Sequence, residues 1–467
     1  MVACFLIVAM LSACRSQPQR SQGERADVVV VALDTVRWDH TSLAGYARDT
    51  TPRLAALAAS GGAVTFERAY TAAAWSLPAY ASLFTGRDAV SHGLGFSRND
   101  LDPSHRTLAE ILSAYGYQSA AFTSGPHLHP VTTLDRGFAT YTHDLPPTSL
   151  SIQVDRALDW MTTASEDAAP LFAFVQGYDA HVPYPAPPEY AEHYDPDYQG
   201  TLHPPSVPPG ACGEGRGPDD VCVVPLAATE GRVRRLRDGG MQRQDFEHAR
   251  AHYDGAIRYA DAQLGRLLDG MDALGILDSA VVVVLADHGE ALGEVGRFGH
   301  DDQYGDKVFH VPLVVRLPGG REAARWPGLV SLTGLVPTLA DVLEIVPPAA
   351  IDGRSFAGAL DGSAAPAEAA ALSASMCCYS VRTAEWEARG WRNPRQLKAP
   401  MQWSLHRGGE DVTLLHPDVL TSLRQELAGW PAHPEDVHAF GHGAASRRDF
   451  QEALREGGYW TRTPEHR

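Results

Sequence analysis

The chain has 467 residues, of which 44% are hydrophobic and 21% are charged. These values indicate a globular protein with one large domain and a smaller element. The formal net charge of −18 argues against a nucleic-acid partner, because the phosphates would be repelled, but it leaves an anionic ester substrate open.

The first apolar segment runs from Met1 to Ala13 and is followed by Cys14. Its end, Leu-Ser-Ala-Cys, is typical of a bacterial lipoprotein signal, and so short a run cannot span a bilayer as a mature helix. We therefore predict a signal and linker over residues 1–25, a lipid on Cys14 as the membrane contact, and a periplasmic location in the cell envelope. A misplaced start codon or a chance apolar N-terminus is the alternative, because no Lys or Arg precedes the run.

A strand buried on both faces of a parallel sheet is predicted from Asp27 to Leu33, which is a continuous apolar run rich in valine. Asp34 follows the carboxyl end of this strand, where open α/β sheets bind their ligands. A single Asp after a strand is more often a turn or a helix cap. Asp34 therefore needs a second acidic group before it indicates a site.

Ser76 lies at a predicted helix start, because Pro78 lacks an N–H and suits the first turn. The unpaired N–H groups and the positive end of the helix dipole would face the serine hydroxyl and any anion beside it. An isolated Ser-x-Pro is ordinarily only a helix cap. Ser76 becomes a candidate nucleophile if other residues bring a metal beside it.

Helices and strands alternate along the rest of the large domain. Apolar residues at i, i+3 and i+4 predict helices over Thr51 to Ser60, Ser104 to Tyr115, Ile152 to Thr162, Phe246 to Leu268 and Leu332 to Leu343. Strands such as Leu171 to Val175 lie between them, which predicts an α/β/α sandwich with a mostly parallel central sheet. Pro- and Gly-rich composition predicts a surface insertion at about residues 183–245, within a catalytic domain over 26–345.

A second buried strand, Ala280 to Ala286, repeats the pattern of the first and ends in Asp287-His288-Gly289-Glu290. Together with Asp34, the residues Asp287 and His288 supply two carboxylates and an imidazole, which suit a divalent cation. Such an ion would lower the pKa of the Ser76 hydroxyl and polarise an ester oxygen.

After Leu343 the pattern changes to a small α+β subdomain and tail over residues 346–467. A loop is predicted over Ala357 to Ala371, and short strands over Met376 to Arg382, Met401 to His406 and Asp411 to His416, before a helix over Leu420 to Trp430. Four cysteines, Cys212, Cys222, Cys377 and Cys378, allow three disulfide pairings in an oxidising compartment. Metal binding by these cysteines is the weaker alternative, since no histidine follows at finger-like spacing.

The stretch from Ala74 to Gly86, which contains Ser76-Leu77-Pro78-Ala79-Tyr80, resembles the nucleophile box of the sulfatase family in the alkaline phosphatase superfamily. With Asp34 and Asp287-His288, the resemblance covers about Asp27 to Ala340. It implies hydrolysis of a small or polymeric anionic ester through Ser76, with one divalent metal on Asp34, Asp287 and His288. Ca²⁺ is the ion most typical of the family, and Mn²⁺ and Zn²⁺ are alternatives.

Two further segments resemble the substrate side of a sulfatase site. The segment Phe174 to Tyr184 carries His181, and Gly299-His300 precedes a strand that begins near Val311. The resemblance implies that His181 and His300 contact the ester or protonate its leaving group.

The chain also departs from the sulfatase pattern. Tyr80 stands where the family has the Arg that is read when the box Cys or Ser is converted to formylglycine, so both formylglycine and unmodified Ser76 stay open. The segment 116–127 lacks the Lys that grips sulfate in many members, which leaves Ser124, His127 and Tyr80 as candidate substrate contacts. Thr35 and His288 replace the Asp and Asn of many sulfatases and resemble a phosphoesterase branch.

Three functions are compatible with these residues. The leading one is a metal-dependent sulfatase-family hydrolase of sulfate or phosphate esters. The second is a phosphodiesterase or phosphotransferase that uses unmodified Ser76, and the third is a non-catalytic sulfatase-like envelope lipoprotein. Clustered carboxylates argue against the third, because they repel one another without a cation.

Overall fold

The computed structural model describes residues 25–145, 147–200, 202, 242–294, 298–300, 305–319, 321–363, 370–375, 378–391 and 401–426. The predicted lipoprotein signal with Cys14, most of the predicted insertion and the tail beyond residue 426 lie outside these ranges. Cys378 is disulfide-bonded, and its partner also lies outside them. None of the described helices is both long enough and apolar enough to cross a membrane.

The central strands form because their residues are apolar on both faces. In β1 (Asp27–Leu33) every residue is buried, as the valine-rich sequence predicts. This strand lies between two parallel neighbours, so that Val30 pairs with Phe174 on one side and with Val283 on the other. The two acidic candidates, Asp34 and Asp287, therefore leave the same edge of the sheet on adjacent strands.

The main sheet has nine strands in the described residues, in the order β11-β2-β10-β6-β1-β5-β3-β4, with β9 paired to β2. Only β9 and β10 run antiparallel to their neighbours. A separate antiparallel sheet contains β12 to β16, and β7 pairs with β8. The strands after β1 are β2 (Ala63–Tyr70), β3 (Gln118–Ser124), β4 (Thr140–Asp144), β5 (Leu171–Gly177), β6 (Ala280–Leu285), β7 (Ala291–Leu292), β8 (Phe298–Gly299), β9 (His310–Val311), β10 (Leu313–Arg316), β11 (Ala324–Ser331), β12 (Ala371–Ala374), β13 (Cys378–Arg382), β14 (Trp386–Trp391), β15 (Gln402–Arg407) and β16 (Glu410–Asp411).

Helices cover both faces of the main sheet, which confirms the predicted α/β/α sandwich. The described helices are α1 (Pro52–Ala58), α2 (Ser76–Thr85), α3 (Ala89–His92), α4 (Leu108–Ala114), α5 (Leu150–Ala164), α6 (Pro188–Ala191), α7 (Arg243–Ala273), α8 (Asp306–Phe309), α9 (Leu335–Val342), α10 (Ala357–Asp361) and α11 (Pro417–Glu426). Helices α1 and α5 pack against α7, while α2 contacts α3, α4 and α9. The rings of Tyr80 and Phe84 in α2 pack edge-to-face against Phe174 in β5.

The C-terminal region departs from the predicted elements in four places. The predicted loop over Ala357 to Ala371 contains a short helix, α10, and the strands β12 and β14 were not predicted. The strand predicted over Asp411 to His416 ends at Asp411, because the Asp411 carboxylate accepts hydrogen bonds from the backbone N–H and the hydroxyl of Thr413 and turns the chain.

The C-terminal sheet contacts the segment that leads into Ser76. The backbone N–H of Ala74 donates to Ala374 O at 3.0 Å, and Ala374 N–H donates to Ala72 O at 2.9 Å. The hydroxyl of Ser373 donates to Thr71 O at 2.6 Å. The C-terminal sheet thereby fixes the entry to helix α2.

Candidate active site

Ser76 is the first residue of helix α2 and is only 1% exposed. The extended backbone of Trp75 and the position of Pro78 in the first turn set this start, as the sequence predicts. The Ser76 hydroxyl lies 3.1 Å from Nε2 of His288. The serine therefore stands at the positive end of a helix, beside an imidazole and near the carboxyl ends of β1 and β6.

Asp34 and Asp287 are both buried, and backbone and amide donors fix one oxygen of each. Asp34 Oδ2 accepts a hydrogen bond from Gln176 Nε2 at 3.0 Å. Asp287 Oδ1 accepts from the backbone N–H groups of Thr35 at 3.2 Å and His288 at 2.9 Å. The other oxygens, Asp34 Oδ1 and Asp287 Oδ2, have no hydrogen-bond partner among the described residues.

The imidazole of His288 has a defined tautomer, because its Nδ1 lies 2.9 Å from the carbonyl oxygen of Gly289. A carbonyl only accepts, so Nδ1 carries a hydrogen, and in the neutral ring Nε2 presents a lone pair. One ligand atom each from Asp34, Asp287 and His288 lies within 4.8 Å of the others. Two unpaired carboxylate oxygens and one imidazole nitrogen suit a divalent cation.

The electrostatics of the three ligands also fit a cation. Burial raises the pKa of Asp34 well above its usual value, and the nearby negative charge of Asp287 raises it further. Two buried carboxylates that face one another repel in their ionised forms. A bound cation would offset both the cost of burying the charges and the repulsion between them. The arrangement of the predicted ligands therefore favours metal binding.

His181 and His300 form a close pair beside the ligands. Their Nε2 atoms are 3.2 Å apart, while His181 Nδ1 donates to Val182 O at 2.8 Å and His300 Nδ1 donates to Ala74 O at 3.0 Å. Since both Nδ1 atoms carry hydrogens, the two Nε2 atoms form a hydrogen bond only when one of them is also protonated. A hydrogen bond between the two Nε2 atoms would therefore give the pair an extra proton next to His288, whose ring centroid is 4.3 Å from that of His300.

The three candidate substrate contacts occupy different positions. Tyr80 is fully buried one helical turn after Ser76. Ser124 is also buried, and its backbone N–H donates to Gln176 Oε1 at 2.9 Å, so it supports the amide that holds Asp34. His127 lies on the 3-10 turn Pro126–Leu128, which packs against α2. Contact between a substrate and any of these three side chains stays a prediction.

Sequence reasoning missed two residues that hold the ligands in place. Gln176, at the end of β5, holds Asp34, and a polar residue that ends an apolar strand was the available signal. Arg37 is 1% exposed and donates through Nη1 to Glu290 O at 3.1 Å and through Nε and Nη2 to Asp39 at 2.8 Å. It therefore ties the loop after Asp34 to the loop after Asp287.

Comparisons with known proteins identify the family of the chain. A family model described as Sulfatase matches residues 26–345. Arylsulfatase K of Mus musculus is 23% identical over 477 residues, which cover 91% of this chain and 84% of that protein. An ulvan-active sulfatase of Formosa agariphila is 25% identical over 391 residues, which cover 76% of this chain and 69% of that protein.

Solved structures share the fold. A phosphonate monoester hydrolase of Silicibacter pomeroyi superimposes with a TM-score of 0.67 at 21% identity, covering 86% of this chain and 94% of that one. A phosphonate monoester hydrolase of Agrobacterium radiobacter gives a TM-score of 0.66 at 20% identity, covering 87% and 95%. At these identities the likeness shows the fold alone.

Proposed function

The chain belongs to the sulfatase family, and from this premise we propose that it is a metal-dependent hydrolase of anionic esters whose nucleophile is the unmodified hydroxyl of Ser76. Family membership and the named relatives make it a sulfuric ester hydrolase-like enzyme that acts on anionic esters, for which phosphoester hydrolysis is also plausible. The metal, the nucleophile and the preference for phosphorus over sulfur are the proposed part.

One observation carries the proposal. The Ser76 hydroxyl lies 3.1 Å from Nε2 of the candidate metal ligand His288, at the start of a helix and beside two carboxylates with unpaired oxygens. A capping serine needs none of these neighbours. A nucleophile needs a group that favours its ionised form and a positive field for the anion that it attacks.

Asp34, Asp287 and His288 would hold the ion, which when bound lowers the pKa of the serine hydroxyl and polarises an ester oxygen. The imidazole in this set is a reason to test Mn²⁺ and Zn²⁺ beside Ca²⁺. Gln176 holds the Asp34 carboxylate, and Arg37 ties the loop after Asp34 to the loop after Asp287. The ligands therefore need little rearrangement to bind an ion.

We infer that a proton shared between His181 and His300 would pass to the oxygen of the leaving group. His300 is held by Ala74 O in the segment before α2, so the pair lies beside the helix start that carries Ser76. Burial of these groups excludes bulk water from the proton. The pair would therefore act as the general acid for the departing alkoxide or phenoxide.

Tyr80 is the reason to propose serine rather than formylglycine at position 76. The family resemblance places an Arg there when the residue is modified, and the phenol supplies no positive charge. A phosphorylated serine is released by water through displacement at phosphorus, whereas a sulfated serine is harder to turn over. The proposal therefore favours phosphate or phosphonate esters over sulfate esters.

A substrate panel tests this function. The full chain, supplied with Mn²⁺ and assayed on matched p-nitrophenyl esters, should hydrolyse a phosphodiester or phosphonate monoester with kcat/KM at least about 100-fold above that for p-nitrophenyl sulfate. Chelation of the metal should remove the activity, which separates it from a contaminating metal-free esterase. A preference for the sulfate ester would contradict the proposal.

A further inference from the structure

Tyr80 lies on the same side of helix α2 as Ser76, because residues four apart share a helix face. Its ring packs against Phe174, with centroids 5.8 Å apart, and against Phe84, with centroids 6.4 Å apart. The side chain is completely buried. This apolar shell surrounds the ring, so the polar groups near its hydroxyl decide what the hydroxyl can do.

Those groups are the candidate metal ligands. The carboxylates of Asp287 and Asp34 and the amide of Gln176 act on the Tyr80 phenol, whose pKa is raised by burial and then by the two carboxylates. A tyrosine hydroxyl carries its hydrogen near neutral pH and is a donor. The Tyr80 oxygen lies close enough to Asp287 and Gln176 for both to act on its pKa, but among the described residues it makes no contact with hydrogen-bond geometry.

The acceptors that such a donor needs are present and unpaired. Gln176 Nε2 already donates to Asp34 Oδ2 and to Gly177 O, and Asp287 Oδ1 already accepts two backbone N–H groups. Asp287 Oδ2 and Asp34 Oδ1 lack partners among the described residues. The buried Tyr80 hydroxyl and the two buried carboxylate oxygens thus all lack a hydrogen bond, and buried polar groups without one are rare in native proteins.

We propose that Tyr80 is a positioning residue for the metal ligands, which donates its hydrogen bond to the Asp287 carboxylate and so orients that carboxylate toward the cation. A neutral phenol can orient an anionic ligand without opposing the charge of the ion, which a guanidinium at the same place would do. The inference rests on the metal assignment of the proposed function. It makes Tyr80 a residue that holds a metal ligand, in place of the predicted substrate contact.

The Tyr80→Phe variant tests this role, because it removes the hydroxyl and keeps the ring. In titration calorimetry of the chelator-treated full chain with Mn²⁺, the Kd should rise by about tenfold or more, as for other groups that hold a metal ligand. In the metal-free protein, the Tm should fall by no more than the loss of one hydrogen bond explains, so the variant is folded in the titration. If Tyr80 had only a structural role, Tyr80→Phe would lower the Tm and leave the Kd unchanged.

Tyr117→Phe is the matched control. Tyr117 is also buried, but its hydroxyl donates to Ala26 O at 2.9 Å, away from the ligands. This variant should lower the Tm and leave the Kd for Mn²⁺ as in the parent protein. Equal Kd values for the parent and Tyr80→Phe would overturn the inference alone, whereas a parent protein that binds none of Mn²⁺, Zn²⁺ and Ca²⁺ would overturn the proposed function as well.

Discussion

Replacing Ser76 with alanine is expected to lower kcat by about 10⁴-fold or more, with little change in stability. The reason is that no other hydroxyl stands at the start of α2 beside His288 among the described residues. The loss should be measured on the phosphodiester or phosphonate substrate with saturating Mn²⁺, and circular dichroism should show an unchanged fold. The same variant should still bind the metal, since Asp34, Asp287 and His288 remain.

Helix α2 offers a matched control in Ser82, whose hydroxyl lies 3.0 Å from His92 Nε2. In this pair the backbone N–H of Leu94 donates to His92 Nδ1, so His92 carries its hydrogen on Nε2 and cannot accept the serine proton. Burial also lowers the pKa of His92 to about 3, which keeps it neutral. Ser82→Ala should therefore keep activity within a fewfold of the parent protein, and similar losses in both variants would show that the Ser76 effect is structural.

The second large effect is expected for Asp287→Asn. The amide oxygen can still accept from Thr35 and His288, but the negative charge and one ligand oxygen are lost. We expect Mn²⁺ affinity to fall by at least about 100-fold and activity to fall with it. The metal-free variant should be as stable as the parent or more stable, because a buried carboxylate no longer repels Asp34.

Thermal unfolding with and without Mn²⁺ measures both halves of this prediction. At a metal concentration of 100 times the Kd of the parent protein, the free energy of unfolding of the parent should rise by about 2.7 kcal/mol. That of Asp287→Asn should hardly change at the same concentration. Asp261→Asn is a suitable control, because Asp261 is also buried but accepts from the backbone of Arg53 and Leu54 at the start of α1. An undiminished metal-induced shift in Asp287→Asn would refute the ligand assignment.

The sheet and the three ligand candidates could be predicted from the sequence because each signal is local. Val28 to Leu33 is apolar without interruption, and Asp34 follows it directly. The same holds for Ala280 to Ala286 and Asp287. The carboxyl ends of adjacent parallel strands meet at one edge, so the two aspartates had to approach each other.

The supporting contacts could not be predicted, because they join residues far apart in the chain. The hydroxyl of Tyr253 on α7 accepts from Arg37 N and donates to Thr35 O, and neither contact leaves a pattern in the sequence. Strand β14 was missed for a related reason. Its Glu387 is buried only because Arg382 and Arg389 pair with it, so the strand lacks the apolar alternation of a half-buried strand.

The most direct test of the central claim is the mass of the tryptic peptide from Ala69 to Arg87, which contains Ser76 and ends at the only arginine between Arg68 and Arg98. The protein should be purified from its native host, so that any maturation machinery has acted. In a preparation that hydrolyses the phosphodiester or phosphonate substrate, we expect this peptide to have the mass of the form with unmodified Ser76. A peptide lighter by two hydrogens at position 76 would show formylglycine and would contradict the proposed serine nucleophile.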